Sequence, residues 1–460
     1  MDDTTPRLVP PSTGQYAPSR FELLQTVRRE GRLGLMRHIW RSGGDLTRVE
    51  MKGKAFFLVI HPEHVRHINV THRQNYEKLQ SYDAARELLL GHGILTSTGE
   101  DWRQQRKLMA PFFTPRGVEK YYPVFVADTQ RFSERWRSLH QGSARPVDML
   151  GEMMVLTAHI ILHTVFSTES DETLLEVKDA VETMISFVSN LNARLLPLPL
   201  WVPTPATLRF RRARRLVHAY VRQLIAQRRA LPTEQWPEDL LTRLMTARDE
   251  ETGAGVADQL LVDNGITLFF AGHETTARTL TFLWYALSQN PEVEKRLHAE
   301  LDAVLGDAPP TIGDLKKLPY TLQVIKEVMR LYPAAPMYVR DAIAEDTLDG
   351  MRIPAGSRMV LFPYGTHRHP DFWAEPERFE PDRWLPEHEA ARDPHAYHPF
   401  AAGQRICLGN NFSLFETHLI TAMLARRFKV RLEPGHQPRI DAAGTLVSRN
   451  GMPMFIEARP

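Results

Sequence analysis

Apolar positions along the 460 residues fall mostly at three- and four-residue spacing, and strand-like runs are confined to short stretches near the two ends. The longest helical pattern is DQLLVDNGITLFFAGHETTARTLTFLWYALSQNP, residues 258–291. In it Ile266, Phe269, Phe270, Ala277, Leu280, Leu283, Trp284 and Leu287 keep that spacing, and Pro291 marks the end. At about 1.5 Å per residue this helix runs roughly 50 Å, enough to cross a domain. So wide an apolar surface predicts burial. FELLQTVRREGRLGLMRHIW (21–40) has the same spacing, whereas TRVEMKGKAFFLVI (47–60) predicts a hairpin turning at Lys52, Gly53 and Lys54. Helical text then dominates to about residue 330. Beyond it Pro and Gly become frequent, with short strand-like runs such as RMVLFPY (358–364) and a last predicted helix at 408–428. Residues 1–20 are polar and proline-rich and read as an extended arm. The pattern predicts a single mainly α (α+β) domain over 1–460, with no internal repeat and no dividing linker.

Composition changes this picture little. With 43% apolar and 24% charged residues, the chain is an ordinary soluble globular protein. A net charge of +2 argues against wholesale nucleic-acid binding. RFRRARRLVHAYVRQLIAQRR (209–229) holds eight arginines and no acid; it reads either as a nucleic-acid patch or as a solvated helix face. It follows the apolar, proline-broken LLPLPLWVPTPATL (195–208). The N-terminus lacks the basic-then-apolar order of a signal peptide, and no run of 18 apolar residues predicts a membrane span. A cytoplasmic protein is expected.

Candidate chemistry begins with the only cysteine, Cys407, in FAAGQRICLG (400–409). A lone Cys is a small buried hydrophobe or a thiolate that ligates a soft metal, and both readings stand at this point. One cysteine excludes an intrachain disulfide and any Cys-cluster metal site. In the middle of the long helix sits AGHETT (271–276), where Gly272 costs about 1 kcal/mol relative to Ala. Glu274 there sets a carboxylate where burial is expensive, and a threonine hydroxyl can bend the helix by bonding the i−4 carbonyl. That turn is either a local opening lined for proton transfer or a polar patch against water. In KEVMRLYP (326–333) Glu327 and Arg330 share a helix face, and Arg378 in EPERFEPDRW (375–384) is expected to complete a three-member ion cluster with them.

Together and in this order, these pieces resemble the cytochrome P450 monooxygenase family. The resemblance rests on Phe400-x-x-Gly403-x-Arg405-x-Cys407-x-Gly409, Glu327-x-x-Arg330, Pro376-Glu377-Arg378-Phe379, Ala271-Gly272-x-Glu274-Thr275-Thr276, and Trp102-x-x-x-Arg106 in DWRQQRKLMAPFF (101–113). It implies a haem b held by Cys407 as axial thiolate and metal ligand. Phe400 would pack near the sulfur, Gly403 would permit the tight turn, and Gly409 the close approach of the final helix. Arg405, Arg106, Trp102 and Arg340 would meet the haem propionates. Ala271 and Gly272 would leave room above the iron, with Thr275 and Glu274 as alcohol and acid of a proton relay. The pocket would draw on Leu95, Thr267, Phe270, Ala335 and Met337, which suits a hydrophobic substrate such as a fatty acid, terpenoid or steroid-like molecule.

The resemblance further implies O2 and NAD(P)H used through a separate ferredoxin or flavodoxin with its reductase, since no such module follows Cys407. Asp101 to Lys120 carries Arg103, Arg106, Lys107, Arg116 and Lys120 against Asp101 and Glu119, the sign expected to attract an acidic donor. Two rival classes remain. A haem-thiolate sensor or carrier would need the cysteine motif but no proton relay, and a helical interaction protein would bind no haem.

Overall fold

The computed structural model describes residues 12–459 except 52–53, 141–144, 169–172, 194–201, 249–252, 254 and 307. The tip of the expected hairpin, most of the N-terminal arm and the apolar run at 194–201 therefore lie outside the described residues.

The strands are β1 (Thr13–Tyr16), β2 (Leu46–Met51), β3 (Lys54–Val59), β4 (Tyr76–Glu77), β5 (Val147–Asp148), β6 (Tyr338–Ala342), β7 (Asp346–Leu348), β8 (Met351–Ile353), β9 (Arg358–Leu361), β10 (Phe428–Leu432), β11 (Ile440–Ala443), β12 (Thr445–Ser448) and β13 (Pro453–Ala458). Six of them form a mixed sheet in the order β1-β2-β3-β9-β6-β4, in which the predicted β2–β3 hairpin pairs antiparallel. Part of the arm after residue 11 is strand: β1 runs parallel to β2. A small sheet, β10-β13-β5, and the hairpins β7–β8 and β11–β12 complete the β structure.

The long helices are α1 (Arg20–Gly43), α2 (Gly99–Met109), α3 (Tyr122–His140), α4 (Met149–Ile161), α5 (Leu174–Ala193), α6 (Pro205–Ala230), α7 (Asp258–Gln289), α8 (Pro291–Val304), α9 (Pro319–Leu331) and α10 (Asn410–Arg427). The fold is helix-rich with its strands near the two ends of the chain, as the pattern predicts. Within α1 the backbone kinks at Gly31, whose φ of 76° only glycine adopts readily.

Helix α7 crosses the core and packs on α4, α6, α9 and α10. Its many polar side chains are tolerated because they bond locally. Thr267, Thr275, Thr279 and Thr281 each donate to the carbonyl four residues earlier at 2.7–3.0 Å. Asp263 and Asn264 accept the backbone N–H groups of His92 and Ile94, and Asn264 Nδ2 donates to Gln105 Oε1 at 2.9 Å. These bonds pin the 91–97 loop and α2 to α7.

Met149–Phe166, comprising α4 and the turn after it, has a mean hydropathy of 1.5 over 18 residues, long and apolar enough to span a bilayer. Glu152, His159 and His163 interrupt it, so it is not the unbroken run of 18 apolar residues that the sequence lacks. Most of the segment is buried, packed on α7 as a core helix.

Candidate haem-thiolate site

Cys407 ends a loop whose shape is fixed by its glycine. Gly403 has φ +66°, and a Cβ there would fall 1.9 Å from the carbonyl oxygen of Asn69, so no other residue fits without displacing backbone. Cys407 N donates to Phe400 O at 2.9 Å, closing the loop above the start of α10. The Cys407 side chain is exposed. Protein nevertheless surrounds it closely enough that burial pushes the thiol pKa up, opposed by the Gly409 N–H, Lys78 and Arg106. The side chain is thus exposed at its tip while closely surrounded by protein.

Helix α7 shows a matching break. Ala271 is exposed and Thr275 half-buried on a helix that is otherwise core, while His273, Glu274 and Thr276 beside them are buried. Gly272 does not face this opening: a Cβ there would meet Ile161 Cδ1 at 2.3 Å. Its small size serves the close packing of α7 on α4, which corrects the role expected for it. Gly409 departs as well. A Cβ added there meets nothing within 4 Å, so no contact with α10 requires a glycine.

Several cations gather near the cysteine loop. Arg405 is buried, with Cζ over the Trp102 ring 3.9 Å from its centroid. Its Nη2 donates to Glu77 Oε1 at 2.6 Å and Ser97 O at 3.0 Å, whereas Nε and Nη1 are buried without a partner among the described residues. Arg106 donates to Ile406 O at 2.9 Å, directly beside Cys407. Buried Arg340 donates to Val339 O at 2.8 Å. Buried Lys78 donates to Leu95 O at 2.9 Å; burial, then Arg340 and Arg405, hold its pKa well below the usual lysine range. Orphaned donors on buried cations cost several kcal/mol unless an anion meets them. Lys78 was missed because in YEKLQ it reads as a solvated lysine. Only the fold turns it inward between β4 and the 91–97 loop.

The pattern that matches is decisive when extended over the whole chain: the cytochrome P450 family profile covers residues 11–455. The chain belongs to the cytochrome P450 family. Cyclooctat-9-en-7-ol 5-monooxygenase from Streptomyces melanosporofaciens is 35% identical over 393 residues, 85% of this chain and 84% of that one. Pentalenene oxygenase from Streptomyces avermitilis is 32% identical over 418 residues, 90% and 91% of the two chains. Among solved structures, the retinoic acid bound cyanobacterial CYP120A1 superimposes with a TM-score of 0.83 at 25% identity, covering 95% of this chain and 96% of that one. The protein is a P450 monooxygenase, and the sensor and interaction-protein readings fall away.

The residues present fit haem b. Arg405 Nε and Nη1 are buried donors with no partner among the described residues, suited to carboxylates, and the chain's only thiol, Cys407, is exposed two residues away. Of the expected pocket residues, Leu95, Phe270, Ala335 and Met337 are half-buried. Thr267 is buried, with its hydroxyl bonded to Asp263 O and packed against Gly93.

The P450 ion cluster stands with one member replaced. Arg330 forms a fork on Glu327, Nε to Oε2 and Nη2 to Oε1, each at 2.8 Å. Its remaining N–H groups reach the carbonyls of His367, Pro376 and Arg378 at 2.6–2.9 Å, so all five donors are used. Arg378 contributes only that carbonyl; its guanidinium is exposed and pairs with Glu375 and Glu380. The third member is Arg383, 3.4 Å from Glu327, while Trp384 Nε1 and the Glu380 N–H complete the carboxylate's shell. Proline-punctuated loops carry no period from which to tell which arginine turns inward.

Proposed function

We propose that this P450 hydroxylates a terpenoid, using O2 and two electrons that pass from NAD(P)H through a separate ferredoxin or flavodoxin and its reductase. Oxygen accounting is simple: one atom enters a C–H bond, and the other leaves as water with two protons. The observation that carries the substrate class is the relatives' chemistry, since both Streptomyces enzymes are named for terpenoid oxidation. The half-buried Leu95, Phe270, Ala335 and Met337 suit such an apolar molecule.

Haem b, when bound, supplies the activation of O2. Cys407 would hold the iron, and Phe400 would pack near it. Arg405, Arg340, Arg106 and Lys78 would neutralise the propionates, with Trp102 stacked beneath Arg405. The small, exposed Ala271 would leave room for a substrate beside the bound group. Thr275 and Glu274 would move protons toward the oxygen site, the role that distinguishes a monooxygenase from a simple carrier.

The test is a binding screen with cyclooctat-9-en-7-ol, pentalenene and palmitate, read as the haem spectral shift that follows displacement of water by substrate. A saturable shift with either terpenoid and none with palmitate is expected. A shift with palmitate alone would move the substrate class to fatty acids.

A further inference from the structure

Sequence pairs Glu274 with Thr275, but the structure gives the acid a partner from the far end of the chain. Gly444, at φ +89°, turns the β11–β12 hairpin, and the next residue, Thr445, donates from Oγ1 to Glu274 Oε1 at 2.7 Å. Arg278, one turn along α7, donates to the same oxygen from Nε at 3.0 Å and Nη2 at 2.8 Å. One carboxylate oxygen therefore takes three hydrogen bonds. The other, Oε2, is buried and takes none among the described residues.

This asymmetry has a physical meaning. The three donors fix Oε1, and so fix where Oε2 points. An oxygen left with open lone pairs in the core is costly as structure but available as a proton acceptor. The Thr275 hydroxyl, meanwhile, spends its proton on Ala271 O at 2.8 Å. The hairpin also reaches the other side of the site. Leu446 N donates to Ala334 O at 2.9 Å, next to Ala335 and Met337 of the expected substrate lining. A small, mostly apolar cavity of about 20 Å³ is lined by Arg278, Thr281, Phe282 and Met452.

We propose that Thr445 is a positioning residue for the relay acid: its hydroxyl, with Arg278, clamps Glu274 Oε1 and leaves Oε2 to carry the proton. The hairpin then links the chain segment at Ala334 to the acid through two hydrogen bonds. This inference rests on Glu274 being the relay acid.

The test compares Thr445→Val, which keeps shape and removes the hydroxyl, with Thr445→Ser, which keeps the hydroxyl, and with Glu274→Gln. Should the valine variant not load haem, Thr445→Ala removes the hydroxyl without added bulk. The substrate is whichever of cyclooctat-9-en-7-ol, pentalenene and palmitate gives the largest spectral shift. Three quantities are read: product and hydrogen peroxide per NAD(P)H, the solvent deuterium isotope effect on product formation, and the substrate-induced shift.

Losing a hydrogen bond to a charged group changes side-chain populations by about tenfold or more. Thr445→Val should therefore lower the product-to-peroxide ratio by about tenfold and raise the isotope effect, with the spectral shift unchanged. Thr445→Ser should restore both. A serine variant as impaired as the valine one, or a valine variant like the parent, overturns the inference. If Glu274→Gln itself leaves coupling and isotope effect unchanged, it is the relay reading that fails.

Discussion

Two opposed demands meet at Cys407. Burial raises its thiol pKa, while the Gly409 N–H, Lys78 and Arg106 favour the thiolate. Only a bound cation can settle that balance strongly toward sulfur anion. Cys407→Ser should therefore abolish the strongly red-shifted Soret band of the reduced carbon monoxide complex, and no other thiol exists to replace it. Persistence of the band would remove Cys407 as the ligand. The ligand itself was legible in sequence because chemistry dictates residue type there: sulfur for iron, glycine for a φ of +66°. Lys78 and Thr445 were not legible. Each is an ordinary polar residue until the fold sets it against Arg405 or Glu274. Glycine roles were legible only in part, since Gly272 and Gly409 depend on which neighbour, if any, stands above them.

At the scale of elements, α9 is fastened to the loop that follows β9 through Glu327 and Arg330, both fully buried. Removing one partner strands the other's charge, at a cost of about 3–5 kcal/mol. Glu327→Ala should then yield little haem-loaded protein on purification. Arg378→Ala should load normally, because its guanidinium is exposed and only its carbonyl serves the cluster. A failure of Arg378→Ala to load would mean that its side chain holds the loop after all. Two other helices carry an acid-sensitive device. Desolvation lowers the pKa of His298 on α8 and of His418 on α10 to about 4. Between about 6.5, the unfolded value, and 4 the unfolded chain binds more protons than the folded one, so stability falls as pH falls. Thermal midpoints should drop across that window, and His418→Gln should flatten part of the drop. A midpoint with the same slope in the variant would assign the acid sensitivity to other groups. Helix positions were read well from spacing, because α7 repeats over 32 residues, whereas proline-rich loops offer no period from which to place a side chain.

For the whole molecule, the proposed function requires electrons from a separate donor, and α2 is the element to test for its docking. Arg106 bonds to Ile406 O, so α2 lies beside the loop that carries Cys407. Arg103, Lys107 and Arg116 are exposed on this side of the chain. Arg103 pairs with Glu100 at 2.9 Å and Lys120 with Glu238 at 3.6 Å, both pairs well exposed. Exposed pairs contribute about 0–1 kcal/mol, so an incoming carboxylate competes with them easily. The positive excess of the segment is reduced by these acids but keeps its sign by count, five cations against Asp101 and Glu119. An acidic ferredoxin or flavodoxin would be steered to this face over a range that shrinks to about 8–10 Å near physiological ionic strength. Reduction by such a donor should slow as salt rises, and Arg103→Glu with Lys107→Glu should slow it further while haem content and the substrate-induced shift stay constant. Both residues lie apart from Arg106, so charge reversal tests docking without disturbing the haem contacts. A reduction rate indifferent to salt and to charge reversal would place the donor on another face, or on apolar contacts that screening does not touch.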